Sequence, residues 1–285
     1  MLLAVPNVSE GRDEALLDAI GHAFVAGGAH LLDRHADPDH HRAVFTLAGE
    51  AGALHAALEQ GARAAIARID LTRHQGLHPN VGAIDVAPVV YRAPEQRGAA
   101  VAEALTLADD LGRLGLPVFL YGALADGRTR AELRRGGAEG LARRIADGLA
   151  PDFGPPAMHP TAGATLVAAR PPLVAFNLEL APPATEEDAR RIAALLREGG
   201  PEGLSALRAI GLSLPARGGF AQVSCNVEDH EALPLARLLA AVEGHAVVAE
   251  AELVGLAPEA AFAGWPERVP IRNRASIEER LSSVS

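Results

Sequence analysis

Ala83-Ile84-Asp85-Val86-Ala87-Pro88-Val89-Val90 is the stretch on which the fold turns. Its apolar run has strand length and is rich in valine, and it closes a series of alternating periods that starts at the N-terminus. Upstream, residues 2–5 read as a strand and 12–26 as an amphipathic helix entered through Ser9-Glu10-Gly11. Two strands are expected near 30–34 and 42–48, followed by an alanine-rich helix over about 50–69. With 83–90 the order becomes βαββαβ. Downstream the same order returns, with a strand at 173–179, a helix at 185–199, strands at 205–213 and 219–227, a helix at 231–243 and a strand at 247–254. The recurrence is one of architecture, because the residues themselves do not repeat.

Between these series a helix around 95–114, a strand at 117–121 and an arginine-bearing helical region from about 129 to 149 extend the first unit. A doubly wound fold would alternate strand and helix throughout. The pattern instead predicts an α+β chain of two split-βαβ-type (ferredoxin-like) modules, each a β-sheet covered by helices. The expected division is 1–175 and 176–285, with a ligand tunnel or cleft between the modules. The closing residues, IRNRASIEERLSSVS, read as a short helix and a frayed tail.

Composition removes whole classes of function. All 26 basic residues are arginine, so a Schiff-base lysine, a P-loop lysine and a lysine general base are excluded. The formal net charge of -10, without a basic and aromatic cluster, argues against nucleic acid as a partner. No apolar run approaches the ~18 residues of a membrane span, and MLLAVPNVSEGR has no basic region ahead of its apolar start, so no membrane association and a cytoplasmic location are expected. Cys225, the single cysteine, can form no internal disulfide and reads as a small packed residue. A homodimer is compatible with this composition.

Immediately before the deciding strand, Arg73-His74-Gln75-Gly76-Leu77-His78-Pro79-Asn80 places two histidines around a glycine and ahead of a proline. Pro79 disfavours the α region for His78 and so keeps it extended. Imidazole titrates nearest neutrality, which makes His78 the first catalytic candidate; the rival reading is a surface or capping histidine.

Further landmarks are Val5-Pro6-Asn7-Val8-Ser9-Glu10-Gly11, the LLD-to-DHHR segment, RHQGLHPNVGAIDVAP at 73–88, FLYG at 119–122, APDFGP at 150–155, HPTAGAT at 159–165, LVAFNLEL at 173–180, AQVSCN at 221–226 and ELVGL at 252–256. In these the chain resembles the glutamate formiminotransferase (formimidoyltransferase) family, which includes the transferase part of formiminotransferase-cyclodeaminase. The resemblance implies transfer of a formimino group from N-formimino-L-glutamate to tetrahydrofolate, the co-substrate, in histidine degradation. It also implies two subdomains with a folate tunnel. The family's catalytic histidine falls on His78, and its folate-binding segment on Gly154, Pro155, Pro156, Ala157, Met158, His159, Pro160, Thr161, Ala162 and Gly163. The chain carries Leu77, Asn80, His35 and His41 where the family commonly has Glu, Arg, Asp and Asn.

On this reading His78 would take a proton from N5 of the pteridine and deliver it to the departing glutamate nitrogen. Asp33, Asp37 and Asp39 are candidates to stabilise amidinium charge or to orient a histidine, and Arg42 and Arg170 to hold carboxylates. Two rivals stay open. His35, Asp37, Asp39, His40, His41, His74 and His78 are residue types that suit zinc, which would make a metal-dependent hydrolase of a formimino or amide bond. No HExxH helix is present, however, and Gly76 and Pro79 are poor helix context, so no metal is expected. The second rival is a folate-binding paralogue of weak catalytic power.

Overall fold

In this computed structural model residues 1–76 and 78–284 are described, the side chain of Ala216 excepted. The chain forms two compact units, the first Met1–Pro171 and the second beginning at Pro172.

The first unit runs β1 (Leu2–Ala4), β2 (Asn7–Val8), α1 (Glu14–Ala26), β3 (His30–Asp37), β4 (Arg42–Gly49), α2 (Leu54–Arg68), β5 (Ile84–Val90), α3 (Arg97–Arg113), β6 (Val118–Leu120), α4 (Arg130–Arg134), α5 (Gly137–Ala146) and β7 (Thr165–Arg170). Its sheet has the order β1-β4-β2-β5-β7-β6, with β3 also paired to β4. The β5–β7 and β6–β7 pairs are parallel, whereas β1 to β4 pair antiparallel. The strand pair β1/β2, β3, β4 and β5 thus make the expected βαββαβ core, and α3 carries the chain across to two added strands.

Hydrophobic spacing decides which way the helices face. Asp13 caps α1 by accepting the Leu16 N–H at 3.0 Å, and Leu17, Ile20 and Phe24 then recur on one side. They pack with Ala57 and Leu58 of α2, Leu107 and Leu111 of α3, and Phe45 and Val89 from the sheet. Each such side chain contributes roughly 1.5–3 kcal/mol by burial. Across the sheet, Phe119, Tyr121 and Leu166 meet Leu133 of α4 and Leu141 and Ile145 of α5.

The second unit runs β8 (Val174–Leu180), α6 (Glu186–Leu196), β9 (Leu207–Leu214), β10 (Phe220–Val227), α7 (Leu235–Glu243), β11 (Val248–Val254), β12 (Ile271–Arg272) and α8 (Ile277–Ser282). Its sheet order is β12-β11-β8-β10-β9, which is the split-βαβ arrangement with one parallel edge strand added. Thr185 and Asp188 form a reciprocal capping box at the start of α6. Cys225 lies in β10 with a buried side chain, and burial pushes its thiol up to about 12, so it is a packed and unreactive residue in the native chain.

Two expectations are corrected. Thr165–Arg170 was not anticipated as a strand, although it joins β5 to β6. The helical region 129–149 is two helices, broken where Gly136 and Gly137 take φ of 77° and 63°. Among the described residues no helix is long and apolar enough to cross a membrane.

Candidate functional site

The deciding strand carries a buried acid. Asp85 is fully buried in β5, where its Oδ1 accepts the Val81 N–H at 2.9 Å and its Oδ2 takes the guanidinium of Arg42 at 2.6 Å and that of Arg134. Burial alone would raise its pKa, but the charges of Arg134 and Arg42 outweigh burial and hold it far below the usual carboxylate range.

Each arginine is aimed by local sequence. Arg42 opens β4, next to Ala43, which packs under the helices; Arg42 therefore points to the opposite face, where its Nε and Nη2 donate to Asn7 Oδ1 at 3.0 and 2.7 Å. Burial lowers its pKa more than Asp85 restores it, to about 10. Arg134 comes from α4, whose start is fixed by the Thr129–Glu132 capping box and whose rotation is fixed by Leu133, 1% exposed. The next residue on that helix then reaches Asp85.

His78 sits against this triad, with Nδ1 at 3.3 Å from Arg42 Nη1. A guanidinium can only donate, so Nδ1 accepts and the ring proton resides on Nε2. Burial, then the charges of Arg42 and Arg134, push the pKa of His78 well below its ordinary value, and the ring is neutral at pH 7. Leu77, beside it, lies outside the described residues.

The loop holding His78 is clamped at both ends. Asp70 caps its entry turn at Thr72, and a side chain at Gly76 would collide with the carbonyl of His40. At the exit, Ala83 N–H donates to Ala162 O at 2.8 Å and Ala164 N–H to Val81 O at 2.9 Å. Gly82 and Gly163 form the bridge between these rungs, and a side chain on either would strike backbone of the other segment. The structure therefore ties the histidine loop to the end of the 154–163 segment. Within that segment Gly154, at φ 79°, packs on the Leu116 carbonyl, Met158 packs on the core beneath α4 and α5, and Pro156, Ala157 and Pro160 are exposed. His159 Nδ1 accepts the N–H groups of Thr161 and Ala162 at 3.3 and 3.0 Å, so this ring braces its own turn.

Other candidates sort by contact. Of the three aspartates read as stabilising amidinium charge or orienting a histidine, Asp37 pairs with His40, whose Nδ1 is 2.8 Å from Asp37 Oδ2. His41 stacks on His74 with ring centroids 4.5 Å apart. Arg42 serves the buried pair rather than an open carboxylate site, and Arg170 donates to the Pro171 carbonyl at 2.9 Å. No cluster of three or more His, Cys, Asp or Glu is set to hold a metal among the described residues. Sequence reasoning missed Asp85 and Arg134. A lone acid inside an apolar strand was the available signal for the first; nothing local marks the second.

A sequence model described as formiminotransferase domain, N-terminal subdomain, matches residues 1–170, and one described as formiminotransferase domain matches residues 175–265. The chain is 37% identical over 272 residues to the glutamate formimidoyltransferase of Streptococcus pyogenes serotype M1, covering 90% of this chain and 89% of that protein. It is 33% identical over 272 residues to the glutamate formimidoyltransferase of Thermoplasma acidophilum, covering 90% and 88%. It is also 38% identical over 274 residues to the formimidoyltransferase-cyclodeaminase of Sus scrofa, covering 89% of this chain and 49% of that protein, so it spans about half the length of that relative.

Proposed function

We propose, because the chain belongs to the formiminotransferase domain family, that it is a glutamate formimidoyltransferase which moves the formimino group of N-formimino-L-glutamate to N5 of tetrahydrofolate, as in histidine degradation. The observation that carries the chemistry is the contact of Arg42 with Nδ1 of His78. It leaves the ring neutral with its proton on Nε2, the form that donates a hydrogen bond without carrying charge. When N5 attacks the formimino carbon, electrons move onto the imino nitrogen. A donor backed by two guanidiniums favours that charge as it develops, a contribution worth ~10²–10³ in rate.

This reading refines the role expected of His78. A ring whose bare nitrogen is turned to Arg42 suits donation, and the acceptance of the N5 proton needs a second group. The 154–163 segment is the folate-binding part of the same proposal, supported by its backbone ladder to the histidine loop. The folate tunnel belongs to the proposal as well, and a folate-bound crystal structure tests it. So does the assignment of 1–175 and 176–285 as the two formiminotransferase subdomains.

Turnover decides the proposal. The chain is given tetrahydrofolate with N-formimino-L-glutamate, with N-formyl-L-glutamate or with neither, and folate product and free glutamate are followed. Formimino-folate and glutamate are expected to form together from the first donor, and His78→Ala to lose ~10²–10³ of kcat with folate affinity retained. Glutamate release without folate would make the chain a hydrolase, and folate binding without transfer from either donor would make it a binding protein.

A further inference from the structure

We propose that His40, oriented by Asp37, is the base that takes the N5 proton and returns it to the departing glutamate nitrogen. The proposal rests on the transferase reading above. Its ground is a pair of neighbouring rings held in opposite hydrogen-bonding states. His40 Nδ1 lies 2.8 Å from Asp37 Oδ2, and its backbone N–H donates to Asp37 Oδ1 at 2.9 Å. Hydrogen bonds from His40 outweigh the burial that would raise the Asp37 pKa, so Asp37 is a carboxylate and can only accept. The Asp37 carboxylate therefore takes its hydrogen bond from Nδ1 of His40, which leaves Nε2 as the ring nitrogen not engaged by Asp37. His78 is the reverse, with Nδ1 accepting from Arg42 and the proton on Nε2. The two ring centroids are 6.1 Å apart, and His40 is 7% exposed.

The backbone keeps this pair together and leaves the next histidine out. Gly76, two residues before His78, lies so close to the His40 carbonyl that no side chain fits between them. His41 takes a φ of 50°, accepts the Gly11 N–H on Nδ1 at 3.1 Å and stacks on His74 instead. The sequence Asp37-Pro38-Asp39-His40-His41-Arg42 thus distributes its residues: Asp37 and His40 as a dyad, His41 to the neighbouring stack, and Arg42 to Asp85 and His78.

The reaction then balances on the two rings. The N5 lone pair forms the bond to the formimino carbon, and the C=N pair moves to the imino nitrogen, which receives the hydrogen bond of His78 Nε2–H. The N5 proton passes to His40 Nε2, making an imidazolium paired with Asp37. As the C=N bond re-forms, the bond to the glutamate nitrogen breaks with its electron pair, and that nitrogen takes the proton from His40. Both histidines end as they began.

Two measurements on the full chain test this. Nitrogen NMR of histidine-labelled protein is expected to find the proton on Nδ1 of His40 and on Nε2 of His78. In turnover, His40→Ala is expected to lose ~10²–10⁴ of kcat with folate affinity retained, and to regain part of it when imidazole is added. Asp37→Asn, which keeps the ring in place, is expected to lower kcat less and to shift the His40 nitrogen signals. A protonated Nε2 on His40, native turnover in both variants, or a loss in His40→Ala that imidazole does not relieve would each overturn the inference while transfer by the native chain stood. If the native chain made no formimino-folate, the reading of function would fail on the unsubstituted protein and this inference with it.

Discussion

In the first unit one carboxylate, Asp85, lies between Arg42 and Arg134 with His78 against them; in the second, Glu179, Glu250 and Glu252 share Arg217 and Arg272. Both clusters sit on sheet strands, but their charge balance is opposite. Strand register sets Glu179 opposite Glu250 on β8 and β11, a like-charge pair that costs stability unless a cation lies between. Arg272 on β12, paired in register with Glu252, supplies it, reaching Glu179 at 2.8 Å and Glu252 at 3.0 Å. That cluster uses its cations to hold three strands. The first unit has a guanidinium to spare, and the surplus acts on a neighbouring ring. Buried charge is thus common to both clusters, and what sets the candidate site apart is an unmatched charge beside a titratable group.

The largest expected break of this comparison is Asp85→Ala. It leaves two buried guanidiniums without their carboxylate and is expected to cost ~3–5 kcal/mol of unfolding free energy in urea. Glu179→Ala removes one of three carboxylates from Arg272 and should cost clearly less. Equal losses would mean that the two clusters do the same structural work.

Acid sharpens the contrast next. The folded pKa of His78 is depressed, so the unfolded chain binds the proton first and the stabilising contribution is complete above the unfolded value of ~6.5 and lost as pH falls toward the folded one. His41 and His74 are depressed in the same direction, chiefly by burial. Each ring can remove at most ~1.4 kcal/mol per pH unit in its window. The midpoint of thermal unfolding should fall between pH 7 and pH 5, and His78→Gln should flatten that dependence. An unchanged slope in the variant would show that the arginines do not control the ring.

Thr129→Ala is the mildest test. Loss of the α4 cap should cost ~1 kcal/mol, and the misplaced Arg134 should let the His78 nitrogen shifts move toward protonation near pH 6. A cap loss that left those shifts alone would detach α4 from the site.

Much of this was legible from periodicity. Amphipathic helices with side chains such as Leu17, Ile20 and Phe24 announce themselves, and so do alternating strands between turns. Thr165–Arg170 did not, because a strand buried by parallel neighbours on both sides shows no alternation. His78 stood out as a candidate by its proline and glycine neighbours. Arg134 was not, since it meets Asp85 across 49 residues and only the packing of Leu133 aims it. Asp37 was one of three aspartates read as stabilising amidinium charge or orienting a histidine, and its pairing with His40 depends on a tight turn that spacing does not encode.

Cys225 gives the second unit a clock of its own. With no other thiol in the chain and this one sealed in β10, a disulfide reagent can label the protein only when that sheet opens. The labelling rate in the native state therefore counts openings of the second unit alone, without an added reporter. Comparing it with and without added folate would show whether the proposed co-substrate changes that opening rate.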